Sequence, residues 1–189
     1  MTAAQLLRTA RAGVGITQRE LARRTGAPQP SVSDIENGVH DPTVTTLCRL
    51  LRGARSQLAV LPTTKLTAAE TAVLVRERIV EGTSPDAPIW QLADDLAGSE
   101  PVLRAALCVT PPLLTGDHRR DAWIAGLVAY RLGQVNIRPP AWVEDEARTA
   151  EADWPVSGIE ELAGYIRDDT PEPFRSRHVL VTEEDLVSY

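Results

Sequence analysis

Aromatic residues are scarce in this chain: four Trp, three Tyr and one Phe among 189 residues. A core so short of rings must be filled by Leu, Val, Ile and Ala, which suits helices. Cysteine is equally thin, with only Cys48 and Cys108, and the three histidines are scattered. Neither residue type shows metal-ligand spacing, which excludes a zinc site and a disulfide scaffold. Each cysteine lies in an apolar, helix-like run, as expected of a reduced core thiol in a cytoplasmic protein. No apolar run reaches the roughly 18 residues of a membrane span. The opening MTAAQLLRTARAG has neither a long apolar stretch nor a cleavage site, so no secretory signal is expected. The hydrophobic share of 43% and charged share of 24% exclude wholesale disorder. The length suits one long domain or two short ones.

Charge divides the chain. Residues 1–62 carry eight arginines against Glu20, Asp34, Glu36 and Asp41, a balance of +4 within an overall −6. Residues 63–189 hold the other 12 bases and 22 acids, a balance of −10. Such asymmetry suggests a polyanion-binding module joined to something else. The single lysine, Lys65, lies in a polar stretch between two helical patterns. The expected division is therefore 1–62, a linker at 63–66, and an acidic unit over 67–189.

Periodicity predicts mainly α structure. In the first part, helices are expected at 3–12, about 18–25, about 28–37 and 44–54. Thr17 with Glu20 reads as a capping box, the Glu20 carboxylate reaching back to the Thr17 amide. Leu21, Ala22, Val32 and Ile35 face inward, and Val44, Leu47, Cys48 and Leu51 form one stripe. Gln57–Leu61 alternates weakly, like a short strand. In the second part, Thr67 and Glu70 form another capping box, opening a helix to about Glu81 with Val73, Leu74 and Ile79 inward. Further helices are expected at 87–97, 100–109 and 117–134, the last long and amphipathic. A proline-interrupted stretch over 139–157 precedes a helix near 158–168. A short strand at His178–Val181 and a final turn from Glu183 to Val187 follow.

The first part contains Thr17-Gln18-x-Glu20-Leu21-Ala22-x-x-x-Gly26-x-x-Gln29-x-Ser31-Val32-Ser33-x-Ile35-Glu36-Asn37-Gly38. This pattern resembles the helix-turn-helix of lambda-repressor/Cro-like (XRE) regulators, over about residues 3–56. The resemblance implies a four-helix domain that binds double-stranded DNA at a palindromic operator, as a homodimer on half-sites about one helical turn apart. A helix fits the major groove and presents its N-terminal residues to base edges, and Gln29 can be bidentate to adenine N6 and N7. Thr17 and Gln18 open the preceding helix, where the positive helix end favours a phosphate. Ser31 and Ser33 lie on the helix that carries Gln29. In the family the position of Asn37 approaches the backbone, as do flanking arginines; Arg11, Arg23 and Arg52 are the candidates here. The resemblance also implies a structural ion pair between Arg11 and Glu36. Two positions depart from the pattern. Pro30 stands where a second donor often sits, so a base contact is lost or becomes apolar. Asp34 either accepts from cytosine N4 or repels phosphates, and the sequence does not choose between these.

The second part has no Gly-rich phosphate loop, no Ser-His-Asp spacing and no HExxH, so neither an enzyme nor a cofactor is expected. The paired acids Asp94-Asp95 and Asp168-Asp169, and His118 between Asp117 and Arg119, read as solvated surface. The tail Pro173-Phe174-Arg175-Ser176-Arg177-His178-Val179-Leu180-Val181 is similar to the endings of antitoxin-type regulators paired with nucleotidyltransferase-like toxins. The strand at 57–61 looks like one that pairs across the dimer in some antitoxins of the family. The leading expectation is a dimeric repressor whose acidic half takes a protein partner such as a toxin. A small-molecule-responsive repressor and, behind it, an enzyme tethered to DNA are the alternatives.

Overall fold

The computed structural model describes residues 2–159 and 163–187. The chain separates into two compact units, 1–64 and 65–189. The first is all helical: α1 (Ala3–Gly13), α2 (Gln18–Thr25), α3 (Gln29–Glu36) and α4 (Val44–Gly53). Side chains start three of them. Thr2, Thr17 and Thr43 each accept a hydrogen bond from the amide three residues on, supplying an acceptor for an otherwise orphaned donor. α3 has no such cap, and Pro28 precedes it with Pro30 in its first turn, where a missing N–H costs nothing. Gly26 ends α2 at φ +66°, a left-handed conformation that lets the chain turn sharply into α3. Leu7, Leu21, Val32, Ile35, Leu50, Leu51 and Ala54 close the core with no aromatic ring.

Three expectations for this unit need correcting. Val44 is 68% exposed, and Leu50 takes its place on the buried face of α4 with Leu47 and Leu51. Thr17 caps α2, but the Glu20 carboxylate does not return to the Thr17 amide; it is held by Arg23 and Arg24 further along the helix. Gln57–Leu61 is not a strand within the chain, because it finds no ladder partner among the described residues. Leu58 and Val60 remain exposed there, at 42% and 91%.

The second unit contains α5 (Ala68–Glu81), α6 (Ala87–Ala97), α7 (Pro101–Cys108), α8 (His118–Gly133), α9 (Ala163–Asp169) and α10 (Glu172–Arg175). Two 3-10 turns, 141–144 and 146–148, occupy the proline-rich stretch. The expected helix near 158–168 is α9, and residues 160–162 of that expectation lie outside the described residues. α8 is the axis. It was expected to be amphipathic, yet every residue from Asp121 to Val128 is buried, because α5, α6, α7 and α10 all pack on it. The inward face of α5 is Ala68, Ala69, Ala72 and Val75 rather than the predicted set; Val73 and Leu74 are half-buried and Ile79 is 38% exposed. β1 (Trp154–Pro155) and β2 (Val179–Leu180) form a parallel pair with Trp154 opposite Val179. The Trp154 amide donates to the His178 carbonyl at 2.9 Å and the Val156 amide to the Leu180 carbonyl at 3.0 Å. Pro155, which has no N–H, thus falls where none is needed.

The stretch expected as a linker is already tied to the second unit at Lys65. Its Nζ donates to the carbonyl oxygens of Asp95, at 3.1 Å, and Gly98, and to Ser99 Oγ at 3.0 Å, capping the end of α6. The Leu66 amide donates to Asp95 Oδ2 at 2.7 Å, so Asp95 is a structural acceptor rather than solvated surface. Buried arginines do similar work elsewhere. Arg104 donates to the carbonyls of Ala97, Ser99 and Arg131, Arg131 to Leu186, Arg148 to Pro112, and Arg177 to Val143 and Pro173. Helix ends, 3-10 turns and irregular segments leave carbonyls without partners, and a five-donor guanidinium can satisfy several at once.

Among the glycines of the second unit, Gly126 is the most tightly packed against a neighbour. A Cβ there would lie 2.8 Å from the Phe174 ring and 3.2 Å from the Pro173 carbonyl oxygen. Gly126→Ala gains up to about 1 kcal/mol of helix propensity but forces α10 off α8, so a net loss of about 1–2 kcal/mol is expected. All four tryptophans lie in the second unit, so urea unfolding followed by their fluorescence reads that loss directly. An unchanged midpoint would show that α10 yields without cost.

Candidate nucleic-acid interface

The surface of the first unit is organised around one buried carboxylate. Glu36 ends α3 with its side chain 1% exposed. Arg11, in the last turn of α1, meets it with two hydrogen bonds, Nε to Oε1 at 2.7 Å and Nη2 to Oε2 at 2.9 Å. The same guanidinium donates through Nη1 to the Ile16 carbonyl at 2.8 Å, which fixes the loop leading into α2. Gln18 Nε2 adds a third donor to the carboxylate, 2.9 Å from Oε2. Arg8, one turn before Arg11, donates to the Glu36 backbone carbonyl. Sequence reasoning missed Arg8; its signal was its place three residues before Arg11, on the same helix face.

The network reaches the exposed end of α3. Gln29 Nε2 lies 3.4 Å from Gln18 Oε1, so Gln18 donates to the buried acid while accepting from the first residue of α3. Gln29 is exposed, as are Pro30, Ser31, Asp34 and Asn37. Ser33 is half-buried and its Oγ accepts from Asn37 Nδ2 at 3.3 Å. The structure therefore brings Arg11, Gln18, Gln29 and Glu36 into one connected group. Arg23 and Arg52 stand outside it. Arg23 is 73% exposed and paired with Glu20 at 2.7 Å, and Arg52 is exposed in the last turn of α4. Arg24 shares Glu20 with Arg23, and this pair of cations holds the Glu20 carboxyl down at about 2.

Burial by itself would raise the Glu36 pKa. The hydrogen bonds from Arg11 and Gln18, with the charges of Arg11 and Arg8, outweigh burial and hold it below the usual carboxylate range. In the second unit the N-terminal end of α8 borders an open cleft of about 360 Å³, lined by Asp117, His118, Arg119, Glu151 and Ala152. Asp117 caps α8 and pairs with Arg120, which also meets Asp86. Among the described residues no group of His, Cys, Asp or Glu has the arrangement of a metal site. No helix there is long and apolar enough to cross a membrane.

A short helix with an exposed polar head, locked on a second helix and two supporting arginines, Arg8 and Arg11, defines a module that presents α3 to a groove. The helix-turn-helix family model matches residues 7–59. No curated protein and no solved structure matches the chain. Residues 7–59 are a helix-turn-helix domain of the lambda-repressor/Cro-like type. They make the chain a DNA-binding transcriptional regulator.

Glu36→Ala leaves Arg11 facing an empty, partly buried space, and removing one member of a buried pair costs about 3–5 kcal/mol. The first unit is expected to melt correspondingly earlier by far-UV circular dichroism. The pair also sets acid sensitivity. Because the folded pKa of Glu36 is depressed, its stabilisation is complete above the unfolded carboxylate value of about 4.3 and fades as pH falls through the folded value. Glu36→Gln is expected to start less stable and to lose less on acidification over that window. Equal acid slopes in the two proteins would remove Glu36 as the titrating group.

Proposed function

We propose that the chain is a dimeric repressor acting at a two-fold operator, and that its acidic second unit takes a protein partner in the manner of an antitoxin. The observation that carries the first part is the Gln29–Gln18–Glu36–Arg11 chain of hydrogen bonds. It holds Gln29 on the exposed head of α3, where no contact among the described residues uses its amide oxygen or its second N–H, the acceptor and donor that adenine readout requires. Eight arginines against four acids in residues 1–64 supply the sequence-independent attraction to phosphates. One such domain makes too few contacts for tight specific binding, which favours a dimer. The run Gln57–Leu61, exposed from Gln57 to Val60, supports a strand that gains its ladder from a second copy. The −10 balance of residues 65–189 supports a basic partner for the second unit and disfavours DNA binding there. That unit acts by binding, without a catalytic step.

Gln29→Ala is expected to weaken binding to an operator found by selection from random duplexes by about 1–3 kcal/mol, leaving binding to random DNA nearly intact. A loss of equal size on both would show that Gln29 reads no base. Arg23→Ala is expected to weaken both, reducing the salt slope by at most about one, since Glu20 already offsets part of its charge. An unchanged slope would take Arg23 off the phosphate contacts.

The dimer is tested by sedimentation. Full-length protein should run as a dimer, and Leu58→Lys with Val60→Lys should run as a monomer with weakened operator binding. A double variant that stays dimeric would move the interface elsewhere. The partner reading is tested by growth. A host expressing the product of the adjacent gene should arrest, and co-expression of this chain should relieve the arrest. Absence of arrest, or arrest that persists, would count against an antitoxin.

A further inference from the structure

The exposed face of α3 is unevenly committed. Val32, Ile35 and Glu36 are its buried residues. The line opposite them carries Pro30 and Asp34, one helical turn apart on the same face. Gln29 and Ser33 lie on the flank, and both already have protein partners, Gln18 and Asn37. The Asp34 carboxylate has no hydrogen bond or ion pair among the described residues, and its side chain is exposed. Only the Asp34 backbone is engaged: its carbonyl accepts from the Val39 amide at 2.9 Å and from the His40 amide at 3.3 Å. Those bonds fix the end of the helix and so fix where the carboxylate stands.

An ionised carboxylate only accepts hydrogen bonds. In a DNA groove, flanked by phosphates, it is repelled unless a base offers it a donor. The major groove holds two, cytosine N4 and adenine N6. Adenine sets the N7 acceptor beside N6, which a carboxylate meets unfavourably. Cytosine carries N4 with no acceptor on its own major-groove edge. Pro30, one turn earlier, supplies an apolar wall with no N–H, so it offers the carboxylate no competing donor. The Ser31 hydroxyl donates and accepts alike and discriminates little.

Resting on the reading of the chain as a sequence-specific DNA binder, we infer that Asp34 is a specificity-determining residue: it selects a cytosine in each half-site by accepting from the exocyclic N4 amine.

The experiment selects bound duplexes from a randomised pool with full-length wild type, Asp34→Ala and Asp34→Asn, then measures affinity for the wild-type consensus and its single-base variants. The wild type should enrich an invariant cytosine at one position of each half-site. Asp34→Ala should lose preference at that position alone, with consensus affinity falling about ten-fold. Asp34→Asn, whose amide can both donate and accept, should shift the same position from cytosine toward adenine. That gain of a new preference is not something misfolding produces. If Asp34→Ala keeps the motif and binds all sequences more tightly, Asp34 merely repels phosphate and the assignment is overturned. An enriched motif unchanged in both variants overturns it as well. A wild type that enriches no sequence overturns the reading of the chain as a sequence-specific binder, and this assignment with it.

Discussion

A carboxylate taken almost wholly out of water must be met by donors on every side, and Glu36 is met by three. Two come from Arg11, whose planar fork matches the two carboxylate oxygens. The third comes from Gln18. Because these donors sit on α1 and α2 while the acceptor sits on α3, the pair orients three helices at once. Its worth lies more in direction than in net energy, since a well-packed apolar replacement could stabilise as much. The direction matters because α3 is only eight residues long. A small rotation about its axis would carry Gln29 or Asp34 away from the face that must meet a groove.

The second unit solves a different problem with the same residue type. Its chain between α7 and α8, and from α8 to β2, contains long stretches without regular structure. Buried arginines collect carbonyls from those stretches, Arg148 that of Pro112 and Arg177 that of Val143, and Arg104 takes one at the end of α8. Arg131 and Arg148 have their pKa values lowered by burial, yet a guanidinium stays charged throughout the accessible range. Their cost is offset by carbonyl dipoles and, for Arg148, by the Trp142 face 4.9 Å away and the nearby Asp121. The arginines of this unit, which enter the sequence reading only as part of a charge balance, are thus partly internal framework. Its −10 balance understates how acidic the outer surface is, because several of its cations point inward.

Local periodicity was enough to place α1 to α8 within a residue or two, because each helix carries its own signals: a threonine cap, a closing glycine, or apolar positions three and four apart. The helix-turn-helix was legible for the same reason. Its turn, cap and exit residues are all close in sequence, and each has a local conformational job. Arg11 and Glu36 were legible only through the resemblance, since nothing in a 25-residue separation announces contact.

Other features depended on neighbours that no local pattern reveals. The all-round burial of α8 arises because four helices surround it, and an isolated reading sees only its stronger face. The capping role of Lys65 and the donors around Asp95 are choices among competing partners, settled by distance in the folded chain. The sequence by itself determined where helices start and stop, which residues could read a base, and how charge divides between the units. Tertiary structure alone decided which polar side chains are consumed internally and which remain free to bind. That division depends on contacts between distant residues, where desolvation makes each hydrogen bond obligatory rather than optional.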